Sequence, residues 1–160
     1  MLKRNAVLAL VLAALAVPAL AHGAPRGEAK ATVAGKAVSV DYGRPSLAGR
    51  DMLGKAEVGK PWRMGADAPT TLKTDADLAF GPVAVPKGTY VLTATKTAED
   101  AWVMNVAMQG SDKPQEVPLT VSKLPESVET LTIDLRGDKN KGEFEMKWGT
   151  LSLKAGFTGK

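Results

Sequence analysis

Residues 130–148 read TLTIDLRGDKNKGEFEMKW. Leu131, Ile133 and Leu135 alternate with Thr130, Thr132 and Asp134, and Phe144, Met146 and Trp148 alternate with Glu143, Glu145 and Lys147. A period of two puts every apolar side chain of an extended segment on one face and every polar one on the other. Between the two runs, Asp138-Lys139-Asn140-Lys141-Gly142 supplies turn chemistry in place of pattern. The stretch therefore reads as an antiparallel pair with one dry face and one wet face.

The same period recurs outward from there. Trp102, Met104, Val106 and Met108 alternate with Val103, Asn105, Ala107 and Gln109, and Val38, Val40 and Tyr42 with Ser39 and Asp41. Val85-Pro86-Lys87-Gly88 suits a type I turn, with proline at its second position and glycine at its fourth. Thr97-Ala98-Glu99-Asp100 reads as a hairpin loop, and Gly149-Thr150 as a tight bend before Leu151, Leu153 and Ala155. The one helical turn expected lies around Leu47 to Leu53. Closely spaced short strands without a helical period predict an all-β, mostly antiparallel β-sandwich of two packed sheets. We place this single domain at residues 31–158, without internal repeats, low-complexity segments or linkers.

The ends of the chain speak to destination. Lys3 and Arg4 precede an uninterrupted apolar run from Ala6 to Val17, then Pro18 and the small-x-small sequence Ala19-Leu20-Ala21. This is the pattern of a cleaved export signal over residues 1–21. The run is short of the roughly 20 apolar residues that a membrane span needs, so no span is expected after cleavage. Residues 22–30 are polar and rich in Gly and Pro, and read as a flexible leader. The expected location is periplasmic or secreted. With no cysteine in the chain, a packed core and not a disulfide framework must hold the domain. The formal net charge of +4 falls when Lys3 and Arg4 leave, and the remaining basic residues form no stripe with stacked aromatics. Nucleic acid is not an expected partner.

Several chemistries lack their parts. The only histidine is His22, so a Ser-His-Asp arrangement has no base. Ser46 lies in an Arg-Pro-Ser-Leu turn sequence and not in a Gly-x-Ser-x-Gly elbow, and a Ser46/Lys55 pair reads better as a capping hydroxyl beside a surface lysine. An amino-terminal His22 resembles half of a copper site without its second histidine. Asp138-x-Asn140-x-Gly142-Glu143 echoes a calcium loop but lacks the ligand set and is explained by a hairpin turn. Met104 and Met108 read as core fillers. No metal and no cofactor is implied.

What remains is the segment from Asp41 to Leu72, DYGRPSLAGRDMLGKAEVGKPWRMGADAPTTL, which does not alternate. It gathers Tyr42, Arg44, Arg50, Arg63 and Asp67 as candidate ligand-binding residues, with Asp41, Asp51 and Trp62 as a structural cluster. Arginine offers a planar fork for carboxylates, carbonyls and aromatic faces, which lysine does not. Paired-carboxylate catalysis through Asp41, Asp51 and Asp67 is disfavoured, because neighbouring arginines depress carboxylate pKa values and spoil a general acid. Two readings stay open: a clasp in which Arg44 and Arg63 hold an irregular loop through Asp41, Asp67 and backbone carbonyls, or a shallow polar or anion site rimmed by Tyr42, Arg44, Arg50 and Arg63. In an extended segment Trp62 and Arg63 point to opposite faces.

These residues also carry a resemblance. Tyr42-Gly43-Arg44-Pro45-Ser46, Gly49-Arg50, Pro61-Trp62-Arg63-Met64-Gly65-Ala66-Asp67 with Thr70-Thr71, and Pro86-Lys87-Gly88-Thr89-Tyr90 resemble the secreted bacterial family DUF2911, a domain of unknown function. Trp102 and Trp148 fit its later strands. The family pattern has Asn-Glu after Gly-Ala, where this chain has Asp67-Ala68 followed by Pro69, so a glutamate of the pattern is missing. The resemblance implies a single secreted β-rich domain and carries no reaction or substrate.

Composition and motifs together lead us to expect an exported, non-catalytic binding or structural module that meets a small polar or anionic ligand or an envelope component. The alternatives are a hydrolase of envelope or carbohydrate material working through the Arg/Asp cluster, and a protein-binding domain using an exposed sheet edge.

Overall fold

The computed structural model describes residues 23–160; the expected export signal at 1–21 and His22 lie outside them. Ten strands follow one another: β1 (Arg26–Val33), β2 (Lys36–Gly43), β3 (Pro61–Trp62), β4 (Thr70–Thr74), β5 (Leu78–Phe80), β6 (Val83–Val85), β7 (Gly88–Ala98), β8 (Ala101–Met108), β9 (Gln115–Asp138) and β10 (Lys141–Gly159). No helix occurs among the described residues, and the stretch around Leu47 to Leu53 is made of reverse turns.

The strands form one antiparallel ladder in the order β1-β2-β4-β7-β8-β9-β10-β5-β6, with β3 beside β7. The ladder is open, ending at β1 and β6. Two separately bonded sheets do not form, because the 24-residue β9 serves both halves. Its first residues pair with β8, and from Thr120 onward it pairs with β10.

The alternating runs lie where their period placed them. Val38, Val40, Tyr42, Trp102, Met104, Val106, Leu131, Ile133, Phe144, Met146 and Trp148 are all buried in one core. Burying each large apolar side chain contributes about 1.5–3 kcal/mol, which is how a chain without disulfides holds together.

The leader is the clearest correction. Arg26 to Val33 is not flexible; it pairs residue for residue with β2, from Arg26↔Gly43 to Val33↔Lys36. Its inward positions are Gly27, Ala29, Ala31 and Val33, three of them too small to register as a hydrophobic run. Gly27 has to be small, since a Cβ there would sit 2.5 Å from the Arg44 Cδ and 2.9 Å from the Tyr42 ring. The β1–β2 turn, Ala34-Gly35, has φ of 52° and 70°, the left-handed pair that a two-residue hairpin requires.

Two contacts define the curl of the sheet. On the ladder β2 and β9 are four steps apart, roughly 19 Å in a flat sheet at about 4.8 Å per step. Yet the Tyr42 hydroxyl lies 3.0 Å from the Ile133 nitrogen. Likewise, seven extended residues span about 23 Å, whereas Ser152 Oγ is 2.7 Å from Glu145 Oε1. Strand β10 therefore doubles back at the expected bend, where Gly149 has φ of 61° and the pairing with β9 shifts register.

Candidate functional site

The 41–72 segment leaves β2, crosses the open side of the ladder and returns as β4. Leu131 donates its N–H to Pro45 O at 3.0 Å and Leu47 donates to Glu129 O at 2.9 Å, so the segment lies along β9. Tyr42 ends β2 with its ring buried. Its hydroxyl accepts the Ile133 N–H and donates to the Ile133 carbonyl at 3.3 Å. One side chain thus satisfies both backbone groups of a residue that has no neighbouring strand on that edge, groups that are costly to leave unpaired. Arg44, half-buried, adds Nε to Leu131 O and a terminal nitrogen to Thr132 Oγ1, both at 3.2 Å.

The other arginines behave differently. Arg50 is exposed and donates through Nε to Leu47 O at 3.0 Å and through one terminal nitrogen to Ser46 O at 3.5 Å. Arg63 is exposed and donates to the Asp67 carbonyl at 2.6 Å, while Trp62 faces inward and stacks on Trp148 with ring centroids 5.7 Å apart and planes 15° from parallel. Opposite faces for residues 62 and 63 were expected, and are found.

The carboxylate half of the expected clasp does not form. Asp41 pairs with Arg26 of β1, Asp51 Oδ1 accepts the Gly54 N–H at 2.9 Å, and Asp67 Oδ2 accepts the Ala24 N–H at 2.8 Å. None of the three pairs with Arg44, Arg50 or Arg63 among the described residues. The five candidate ligand residues do not converge either: Tyr42 and Arg44 point at β9, Arg50 at its own turn, and Arg63 and Asp67 at the 63–69 loop. That loop is wedged against β2, since a Cβ on Gly43 would lie 2.1 Å from Ala66 O. Buried Met64 and exposed Asp67 both take left-handed φ, 53° and 61°.

Three groups escaped the sequence reading. Arg26 also donates to Ala68 O at 3.2 Å, and its position in a supposed leader hid it. Lys96 is only 4% exposed, its ammonium 3.3 Å from Gly54 O and 3.5 Å from Glu99; the alternation of β7 could have flagged it as an inward lysine. The third is Glu145, 5% exposed, which accepts from Ser152 at 2.7 Å and from Arg136 at 2.9 Å, with Lys154 at 3.6 Å. Burial acts to raise its pKa. The hydrogen bonds from Ser152 and Arg136 and the charges of Lys154 and Lys147 outweigh that and hold it below the ordinary glutamate value. Such a carboxylate stays ionised and is a poor general acid. Met104 is buried as expected, but Met108, at the strand end, is half-exposed. Among the described residues no three His, Cys, Asp or Glu side chains gather to hold a metal.

The open antiparallel sheet and its inward-turned motif define a class: an all-β domain fastened by side chain-to-backbone hydrogen bonds across its open side. The family model described as a protein of unknown function (DUF2911) matches residues 24–157, and the chain belongs to that family. No curated protein and no solved structure matches it.

Proposed function

We propose that the chain is an exported, non-catalytic β-sandwich module of the bacterial periplasm or exterior, which binds a small polar or anionic ligand or an envelope component or serves a structural role there. Export rests on the Lys3–Ala21 pattern. The sandwich rests on the curl that brings β2 to β9 and stacks Trp62 on Trp148 across the core.

The observation that carries the non-catalytic reading is the use of Tyr42 and Arg44. The polar groups that a catalyst would turn toward a substrate are bonded to the backbone of β9. The hydrolase reading is disfavoured because Asp41, Asp51 and Asp67 are each bonded to a different partner in a different place.

Two measurements test the proposal. Cell fractionation with intact-mass analysis is expected to find a chain beginning at His22 outside the cytoplasm; a full-length cytoplasmic chain would sink the export reading. In thermal melts with a panel of anions and glycans, Arg44→Ala is expected to lower stability with and without ligand. A variant that melts like the parent but has lost a ligand-dependent shift would make Arg44 a binding residue and overturn its structural role.

A further inference from the structure

We infer that the turn from Gly49 to Lys55 forms a binding site for a phosphate or phosphate-monoester group, held by Arg50 and Lys55. The inference rests on the binding-module reading above and names the place and the ligand class.

Elimination among the arginines points there. Arg26 and Arg136 are paired with carboxylates. Arg44 is half-buried against Leu131 O and Thr132, and Arg63 donates to the carbonyl of its own loop. Arg50 alone combines three properties: it is anchored, it has no carboxylate within 4.0 Å among the described residues, and it lines a depression of about 350 Å³ together with Gly49, Asp51, Met52 and Lys55.

The anchoring matters. Ala48 and Gly49 take consecutive left-handed φ of 50° and 77°, and the Arg50 N–H closes that turn on Leu47 O at 3.1 Å. Nε then donates to the same carbonyl. One terminal nitrogen reaches Ser46 O at 3.5 Å, so one edge of the guanidinium is fixed to backbone, and the other terminal nitrogen has no protein partner among the described residues. A fork held before the ligand arrives loses less conformational freedom on binding, and the guanidinium fork matches two oxygens of a phosphate.

The surrounding carboxylates have other partners, and Asp51, which lines the depression with the two cations, is tied to the turn by a neutral amide. Asp51 accepts from Gly54 N, Glu57 pairs with Lys60 at 3.4 Å, Glu99 pairs with Lys96, and Glu129 accepts from Ala48 N at 3.0 Å. Arg50 and Lys55 have no such partner among the described residues. Beneath the turn, Lys96 holds the Gly54 carbonyl, which steadies the loop, while its own charge is met by Glu99.

The test is a titration of the isotope-labelled mature protein with inorganic phosphate against chloride at equal ionic strength, followed by amide NMR. The expectation is saturable shifts of the Gly49, Arg50, Asp51, Gly54 and Lys55 amides. Arg50→Gln should weaken binding about tenfold or more, as for loss of a charge-assisted hydrogen bond. Lys55 anchors nothing, so Lys55→Gln tests charge without disturbing the turn and should weaken binding about threefold to tenfold. Arg63→Gln should leave it unchanged. A sugar phosphate in a parallel titration separates the sources: saturation by both identifies the monoester group, saturation by inorganic phosphate alone the free ion. Shifts that never saturate, or that survive Arg50→Gln, overturn the site. No saturable phosphate shift at this turn, together with a glycan or anion that binds elsewhere and ignores Arg50→Gln, would remove this site while leaving the exported binding module standing.

Discussion

Two side-chain networks fasten this fold, and they use opposite chemistry. On the open side of the ladder, Tyr42 and Arg44 grip β9 through Ile133, Leu131 and Thr132, with no carboxylate taking part. Where β10 doubles back, Glu145 is gripped by Ser152, Arg136 and Lys154, and Lys147 pairs with Asp134 at 2.8 Å. The first network joins side chains to backbone groups that have no strand partner. The second joins charges on two arms of one strand and its neighbour. The difference teaches that acid should loosen the β10 fold-back and leave the β2–β9 fastening intact.

The largest effect is expected at Glu145. Removing one partner of a buried, hydrogen-bonded charge pair typically costs about 3–5 kcal/mol. Arg136 is about half exposed, so Glu145→Ala should fall near the lower end, about 3 kcal/mol, by denaturant melt at neutral pH. The pH dependence has a definite sign. The folded-state pKa of Glu145 lies below its ordinary value, so its contribution is present above the unfolded value of about 4.3 and is lost as pH falls through the folded value. The gap between parent and variant should therefore close below about pH 4. A gap that persists in acid would mean that Glu145 contributes by shape and not by charge.

Tyr42→Phe sharpens the other side. It keeps the buried ring and deletes the hydroxyl, orphaning the Ile133 N–H and carbonyl. Each unsatisfied buried polar group costs about 1–3 kcal/mol, so two groups at the lower end of that range give about 2 kcal/mol in total. This fastening contains no carboxylate, so the loss should be the same at pH 4 and pH 7 in paired melts. A loss that shrinks in acid would join the two networks into one.

What could be read in advance follows the same division. Alternation is a local signal, so Leu131–Leu135, Phe144–Trp148 and Trp102–Val106 announced strands and core together. The Gly149-Thr150 bend was visible because glycine marks a left-handed position. The leader was misread because its inward Gly27, Ala29 and Ala31 are too small to read as a hydrophobic run, and Gly27 is small for a reason outside its own segment, the Arg44 and Tyr42 side chains. The single ladder in place of two sheets followed from β9 crossing both halves, which no turn residue signals. In the 41–72 segment the residue types were right and the partners wrong. Arginine was legible as a fork, but carbonyls carry no letter in a sequence, and nearby aspartates drew the pairing toward themselves.

The smallest effect belongs to Arg63, and it tests that last point most directly. A buried Arg63–Asp67 ion pair would make Arg63→Ala cost several kcal/mol. Instead Arg63 is exposed and its hydrogen bond ends on the Asp67 carbonyl, while the Asp67 carboxylate turns to Ala24. A typical hydrogen bond contributes about 0.5–1.5 kcal/mol net, and solvent screening holds an exposed charged one to the low end, as it does exposed ion pairs. Arg63→Ala should therefore shift the melt by about 0.5 kcal/mol, well below Tyr42→Phe. Asp67→Asn should match it, because an amide oxygen can accept the Ala24 N–H as the carboxylate does. If Asp67→Asn were as damaging as Glu145→Ala, the charge of Asp67 would matter after all, and the 63–69 loop would belong with the acid-sensitive network instead of the backbone-fastened one.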